Sequence, residues 1–160
     1  MSLDHVTQPI AKAKGLPNVH YTSDEMFDEE RQKVLFANWA GIGFAKDIAA
    51  GEAMPIDFVG MPLVAVRTAE GAVKVYQNTC RHRGMILVEE KKRVGGVLRC
   101  PYHSWCYALT GELVATPHVG GPGHNTHEEI RREDLGEAAA NRAKRLFLRI
   151  ALAKDGLLFL

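Results

Sequence analysis

Two cysteines and two histidines stand at a spacing that suits metal chemistry. Cys80-Arg81-His82 comes first and Cys100-Pro101-Tyr102-His103 second, with residues 83–99 between the pairs. Thiolate is a soft ligand, and imidazole serves zinc, copper and iron alike. Zinc fingers ordinarily group Cys with Cys and His with His along the chain. Here each short segment is mixed, Cys-x-His and then Cys-x-x-His, so each offers one sulfur and one nitrogen. That pattern suits a two-iron centre in which one iron takes both sulfurs and the other both nitrogens. A single zinc ion is the competing reading, because two Cys and two His also make a zinc ligand set.

The flanking residues narrow the choice. Gly84 follows the first pair, and Pro101 sits inside the second. Glycine permits positive φ and proline fixes φ, so both suit tight ligand loops. From Cys80 to Tyr107 the chain resembles the Rieske [2Fe-2S] domain in the N-terminal part of the large (alpha) subunit of Rieske non-haem iron oxygenases, the ring-hydroxylating and N-demethylating enzymes. The resemblance implies that Cys80 and Cys100 hold one iron and His82 and His103 the other. Two ferric ions, two sulfides and two thiolates then cancel to zero charge, whereas a four-thiolate cluster stays negative and is harder to reduce. Rieske potentials accordingly lie at roughly −150 to +300 mV, against about −400 mV for plant-type ferredoxins.

High-potential Rieske proteins of respiratory complexes are similar but carry an extra disulfide-bonded Cys in each loop. Met85 and Tyr102 occupy those places here, and Trp105 stands where such proteins place a Ser hydroxyl against the cluster. Fewer hydrogen bonds to sulfur imply a potential at the low end of the range. Trp105 and Tyr107 are read as packing beneath the loops, and Cys106 as a small buried thiol. Arg81 and Arg83 are either charge partners of the reduced cluster or solvated loop cations.

These loops need a scaffold. Met1 to Val19, with Pro9, Gly15 and Pro17, reads as a loose arm. Thr22 with Glu25 gives a capping box, and near-helical apolar spacing predicts a helix from Asp24 to Asn38. Short strands follow at Ile42 to Ala45, Met54 to Val59, Pro62 to Arg67, Val73 to Gln77 and Val94 to Arg99. A hairpin turning at Thr110-Gly111 spans Tyr107 to Ala115. The fold class is mainly β, a small antiparallel sandwich of the Rieske type with an N-terminal helix. Residues 1–40 form the arm and helix, and residues 41–160 the Rieske domain. The tail from 117 is harder to read. His118, His124 and His127 with Glu128 suggest a second metal, but Gly120, Gly121, Pro122 and Gly123 favour a loop of solvated histidines. Residues 137–154 fit a helix by propensity and a strand by alternation. Strand is preferred for Arg145 to Leu152, with Asp155-Gly156 turning into Leu157 to Leu160.

Composition sets outer bounds. With 20 Lys and Arg against 19 Asp and Glu, no partnership with nucleic acid or anionic membrane is indicated. No apolar run has the length of a membrane span, and no secretory signal is visible. Three cysteines leave no disulfide framework, so a cytoplasmic setting is expected. The resemblance further implies a reductase or ferredoxin as electron donor. It also implies a mononuclear non-haem Fe(II) site, held by two His and a carboxylate in a separate catalytic domain of the same or a neighbouring subunit, and a homo-oligomer at full length. Nothing between Gly123 and Leu160 has the spacing of that triad, so the catalytic domain is expected to be absent from this chain. A stand-alone Rieske-type ferredoxin is the alternative. The substrate is not legible.

Overall fold

Short runs of β-branched and apolar residues, punctuated by glycine turns, build most of the chain. The computed structural model describes residues 4–117 and, beyond them, three short strands between 148 and 159. His118, His124, His127 and Glu128 lie outside the described residues. The chain divides into two compact units, Met1–Ala40 and Gly41–Leu160.

In the first unit a single turn, α1 (Val19–Thr22), leads into α2 (Asp24–Glu30). The N-cap of α2 is Ser23, whose hydroxyl accepts the Met26 amide, rather than Thr22, whose hydroxyl donates to the Asn18 carbonyl. Asp28 with Arg31 and Glu29 with Lys33 brace the helix at 2.8 and 3.2 Å. The predicted helix to Asn38 instead becomes a π-helical turn over Arg31–Leu35, where the Phe36 amide reaches back five residues to the Arg31 carbonyl. Asn38 then donates its side-chain amide to the Val34 carbonyl at 2.8 Å and closes the element.

The second unit contains eleven strands among the described residues: β1 (Gly41–Phe44), β2 (Glu52–Phe58), β3 (Met61–Arg67), β4 (Val73–Gln77), β5 (Lys92–Arg93), β6 (Val97–Arg99), β7 (Cys106–Ala108), β8 (Leu113–Ala115), β9 (Leu148–Arg149), β10 (Leu152–Lys154) and β11 (Leu157–Phe159). They form antiparallel sheets in the orders β5-β2-β3-β4-β9, β6-β7-β8 and β1-β11-β10. The mainly β class with an N-terminal helix is therefore correct, and the strand reading of the C-terminal segment holds over its paired residues.

Burial departs from simple alternation in two strands. Leu63, Val64, Ala65 and Val66 of β3 are all buried, as are Val75 and Tyr76 of β4. Each strand has a hydrogen-bonded neighbour on both edges, since β9 adds to the outer edge of β4. One core runs through Ala53, Val64, Val66, Tyr76, Leu98, Trp105, Tyr107 and Leu113 and takes in Cys80 and Cys100. It joins the five-stranded and three-stranded sheets, and the cysteine loops emerge from it.

Candidate metal centre

The two loops have matching backbones. In the first, the Gly84 amide donates to the Cys80 carbonyl at 3.0 Å, and the Cys80 amide donates to the Met85 carbonyl at 2.7 Å. In the second, the Ser104 amide donates to the Cys100 carbonyl at 3.0 Å, and the Cys100 amide to the Trp105 carbonyl at 2.8 Å. Each loop thus closes on its cysteine over four and five residues. The position that turns the chain is left-handed in both, with φ 74° at Gly84 and 59° at Ser104. The glycine expected to turn the first loop does so, while the second loop places an L-residue in the same strained geometry.

The loops hang from different anchors. Loop 2 bridges β6 and β7, which pair directly, Arg99 opposite Cys106. Loop 1 follows β4 and has no strand at its far end, so a side chain holds it. Asn78, buried, donates to the Val88 carbonyl at 2.6 Å and accepts the Leu87 and Val88 amides at 3.2 and 3.0 Å. This clasp joins the entry of the loop to its exit. It was not singled out from sequence. The one available signal was a small polar side chain two residues before the first cysteine.

The four ligand candidates come together as two separate pairs. Cys80 and Cys100 are buried as free thiols that interact with one another. His82 and His103 are half-buried, with ring centroids 4.8 Å apart, edge to face. His82 also lies parallel to the indole of Trp105 at 4.6 Å, and Tyr102, an exposed ring, tilts against His103 at 3.7 Å. The sulfurs are therefore buried, while the imidazole rings reach partly to the surface. Among the described residues no three His, Cys, Asp or Glu side chains gather as one metal-binding group, so the donors stand as a sulfur pair and an imidazole pair.

Electrostatics prepare both pairs. Burial pushes the Cys80 thiol above its ordinary range, against the lowering effect of the Tyr107 hydrogen bond. Iron loading must therefore release protons. Burial lowers His82 from its usual value, and the neighbouring His103 and Arg83 charges lower it further, which favours the neutral ligand form. Tyr107 is pushed up by burial and by its bond to Cys80, so its hydroxyl stays protonated. Read from sequence as packing alone, Tyr107 is in fact a hydrogen-bonding neighbour of a ligand candidate, with 3.4 Å from its hydroxyl to the Cys80 sulfur. Cys106 is the buried free thiol expected, its Sγ donating to the Ser104 carbonyl at 3.2 Å.

A [2Fe-2S] group fits this donor set. His103 Nδ1 is buried and has no hydrogen-bond partner among the described residues, which is the condition of a nitrogen reserved for a metal. The family model for the Rieske [2Fe-2S] domain matches residues 38–128. The chain belongs to that family. Its cofactor is accordingly a Rieske-type [2Fe-2S] cluster.

The relatives that this Rieske domain resembles are subunits of oxygenases. The chain is 34% identical over 101 residues to the glycine betaine monooxygenase oxygenase subunit of Pseudomonas aeruginosa, covering 62% of this chain and 24% of that one. It is 28% identical over 121 residues to the biphenyl 2,3-dioxygenase subunit alpha of Rhodococcus jostii, covering 75% and 25%. A crystal structure of the quaternary ammonium Rieske monooxygenase CntA with gamma-butyrobetaine superposes with a TM-score of 0.75 at 20% identity, over 92% of this chain and 38% of that one. The chain thus spans about a quarter of the length of these curated relatives. Among the described residues no helix is long and apolar enough to cross a membrane.

Proposed function

We propose that Cys80 and Cys100 hold one iron of the cluster and His82 and His103 the other. The chain then serves as the electron-relay domain of an oxygenase alpha subunit. It accepts electrons from a reductase or ferredoxin and passes them to a mononuclear iron, in a catalytic domain of the same or a neighbouring subunit, for O2-dependent hydroxylation. A homo-oligomer in the cytoplasm is the setting this role fits. The observation that carries the reading is the pairing of two buried sulfurs with two imidazoles in twin loops, the rings 4.8 Å apart.

The bound cluster supplies a one-electron couple. The protein's residues provide the rest. Cys80 and Cys100, nearly sealed from solvent, protect the sulfur side from water. His82 and His103 stand at the partly exposed rim, where a redox partner has its shortest approach. Trp105 behind His82 and Tyr102 beside His103 hold the rings in place. Charge neutrality of the oxidised ligand set keeps reduction accessible at moderate potential.

The test is metal and sulfide analysis of the anaerobically purified chain, with EPR after dithionite reduction. Two irons and two sulfides per chain, with a rhombic signal of average g below 2, are expected. Substituting Cys80→Ala or His103→Ala should abolish that signal. Stoichiometric zinc with EPR silence refutes the assignment.

A further inference from the structure

Beside the imidazole pair, one buried donor goes unused. Trp105 is fully buried, and its indole lies 9° from the plane of the His82 ring. Its Nε1–H has no acceptor among the described residues. Neighbouring buried polar groups are satisfied: Asn78 bonds to Leu87 and Val88, and the Tyr107 hydroxyl to Cys80 and the Arg81 amide. An indole N–H sealed from water without an acceptor forfeits its hydrogen bond to solvent and recovers nothing, and folded proteins rarely leave one so. His103 Nδ1, two residues earlier in the same loop, shares this condition. The reading above assigns that nitrogen to iron.

Both nitrogens belong to the loop that closes on Cys100, whose amide donates to the Trp105 carbonyl. A nitrogen with no exposed surface cannot be reached by bulk solvent, so its acceptor lies inside the protein. We infer that the Trp105 indole N–H donates a hydrogen bond to a sulfur of the cluster. This rests on the ligand assignment proposed above. Trp105 is then both the platform on which His82 stacks and a tuning residue. A donor to sulfur stabilises the reduced, more negative state, and so raises the potential.

The sequence holds only two tryptophans, Trp39 and Trp105, which makes the inference testable. The cluster-loaded full chain carrying Trp39→Phe and 15N-indole tryptophan is reduced and studied by pulsed EPR in H2O and D2O. A 15N coupling from the indole and an exchangeable proton coupling that disappears in D2O are expected. In a second chain, Trp105→Phe keeps an aromatic platform and removes the donor. Its oxidised-to-reduced ratio at fixed poise should rise about tenfold, equivalent to about 59 mV for one electron. A Rieske-type signal without indole coupling, together with an unshifted potential, overturns the inference. Should Trp105→Phe fail to load, the labelled chain decides by the presence or absence of the 15N coupling. No Rieske-type signal even in the unsubstituted chain overturns the ligand assignment, and this inference with it.

Discussion

The Tyr107 hydroxyl lies 3.4 Å from the Cys80 sulfur and accepts the Arg81 amide at 3.0 Å. With one lone pair engaged by Arg81, and no charge of its own at neutral pH, the hydroxyl is set to donate to a thiolate. It therefore ties the first ligand loop to β7 and places a donor on sulfur.

Removing that donor should make reduction harder. In Tyr107→Phe the aromatic packing remains, but the reduced state loses a charge-assisted hydrogen bond. The midpoint potential should fall by about 59 mV, a tenfold change in the oxidised-to-reduced ratio, read by spectroelectrochemical titration. Packing alone, as read from sequence, would leave the potential unchanged. This bond also raises the expectation drawn from the missing Ser hydroxyl, since at least one donor to sulfur is present.

Ser104 offers a gain in stability. Its φ of 59° costs an L-residue about 1–2 kcal/mol that glycine would not incur. Ser104→Gly should therefore stabilise the folded chain by about 1 kcal/mol, while Gly84→Ala, at φ 74°, should destabilise it by a similar amount. Opposite shifts in urea midpoint for the two substitutions would bear out the twin-loop geometry. Shifts of the same sign would contradict it.

The clasp at Asn78 is the most sensitive point of the scaffold. Asn78→Ala would leave the Leu87 and Val88 amides and the Val88 carbonyl without their buried partner. At about 1–3 kcal/mol for each such group, a loss of about 3 kcal/mol or more is expected. Faster loss of visible absorption on heating would report it, because loop 1 opens first. An unchanged melting curve would mean that the loop is held elsewhere.

These features differ in how far the sequence discloses them. Cys80, His82, Cys100 and His103 could be picked out as ligand candidates because metal ligation, where it occurs, constrains residue type and spacing at short range. Most strands were legible from alternation, and Thr110-Gly111 from turn chemistry. At Gly111, φ is +99° and a Cβ would meet Tyr76 Cε1 at 2.7 Å, so glycine is required there twice over. What stayed hidden depends on contacts distant along the chain. Asn78 finds partners ten residues on, and Tyr107 finds Cys80 across 27 positions. The outer edge of β4 is paired by β9, more than seventy residues later. The cap moved from Thr22 to Ser23 because adjacent hydroxyl residues compete for one helix start, and only backbone geometry decides between them.

A pH dependence follows from Glu52, far from the ligand loops in sequence. Its carboxylate accepts the Ala49 amide at 2.9 Å and pairs with Lys91 at 3.2 Å, while Lys91 also donates to the Asp47 carbonyl. The Ala49 hydrogen bond, and then the one from Lys91, hold this carboxyl below its ordinary range. A carboxyl lowered in the folded state stabilises it above the unfolded value, about 4.3, and loses that contribution as pH falls through the folded value. Glu52→Gln should therefore melt below the unsubstituted chain at pH 7, and the gap should close as pH drops below about 4. Paired thermal melts across that interval check the sign. Lys91→Met should shrink the gap at pH 7 without abolishing it, since the Ala49 amide remains. A gap independent of pH would show that Glu52 acts by shape rather than by charge.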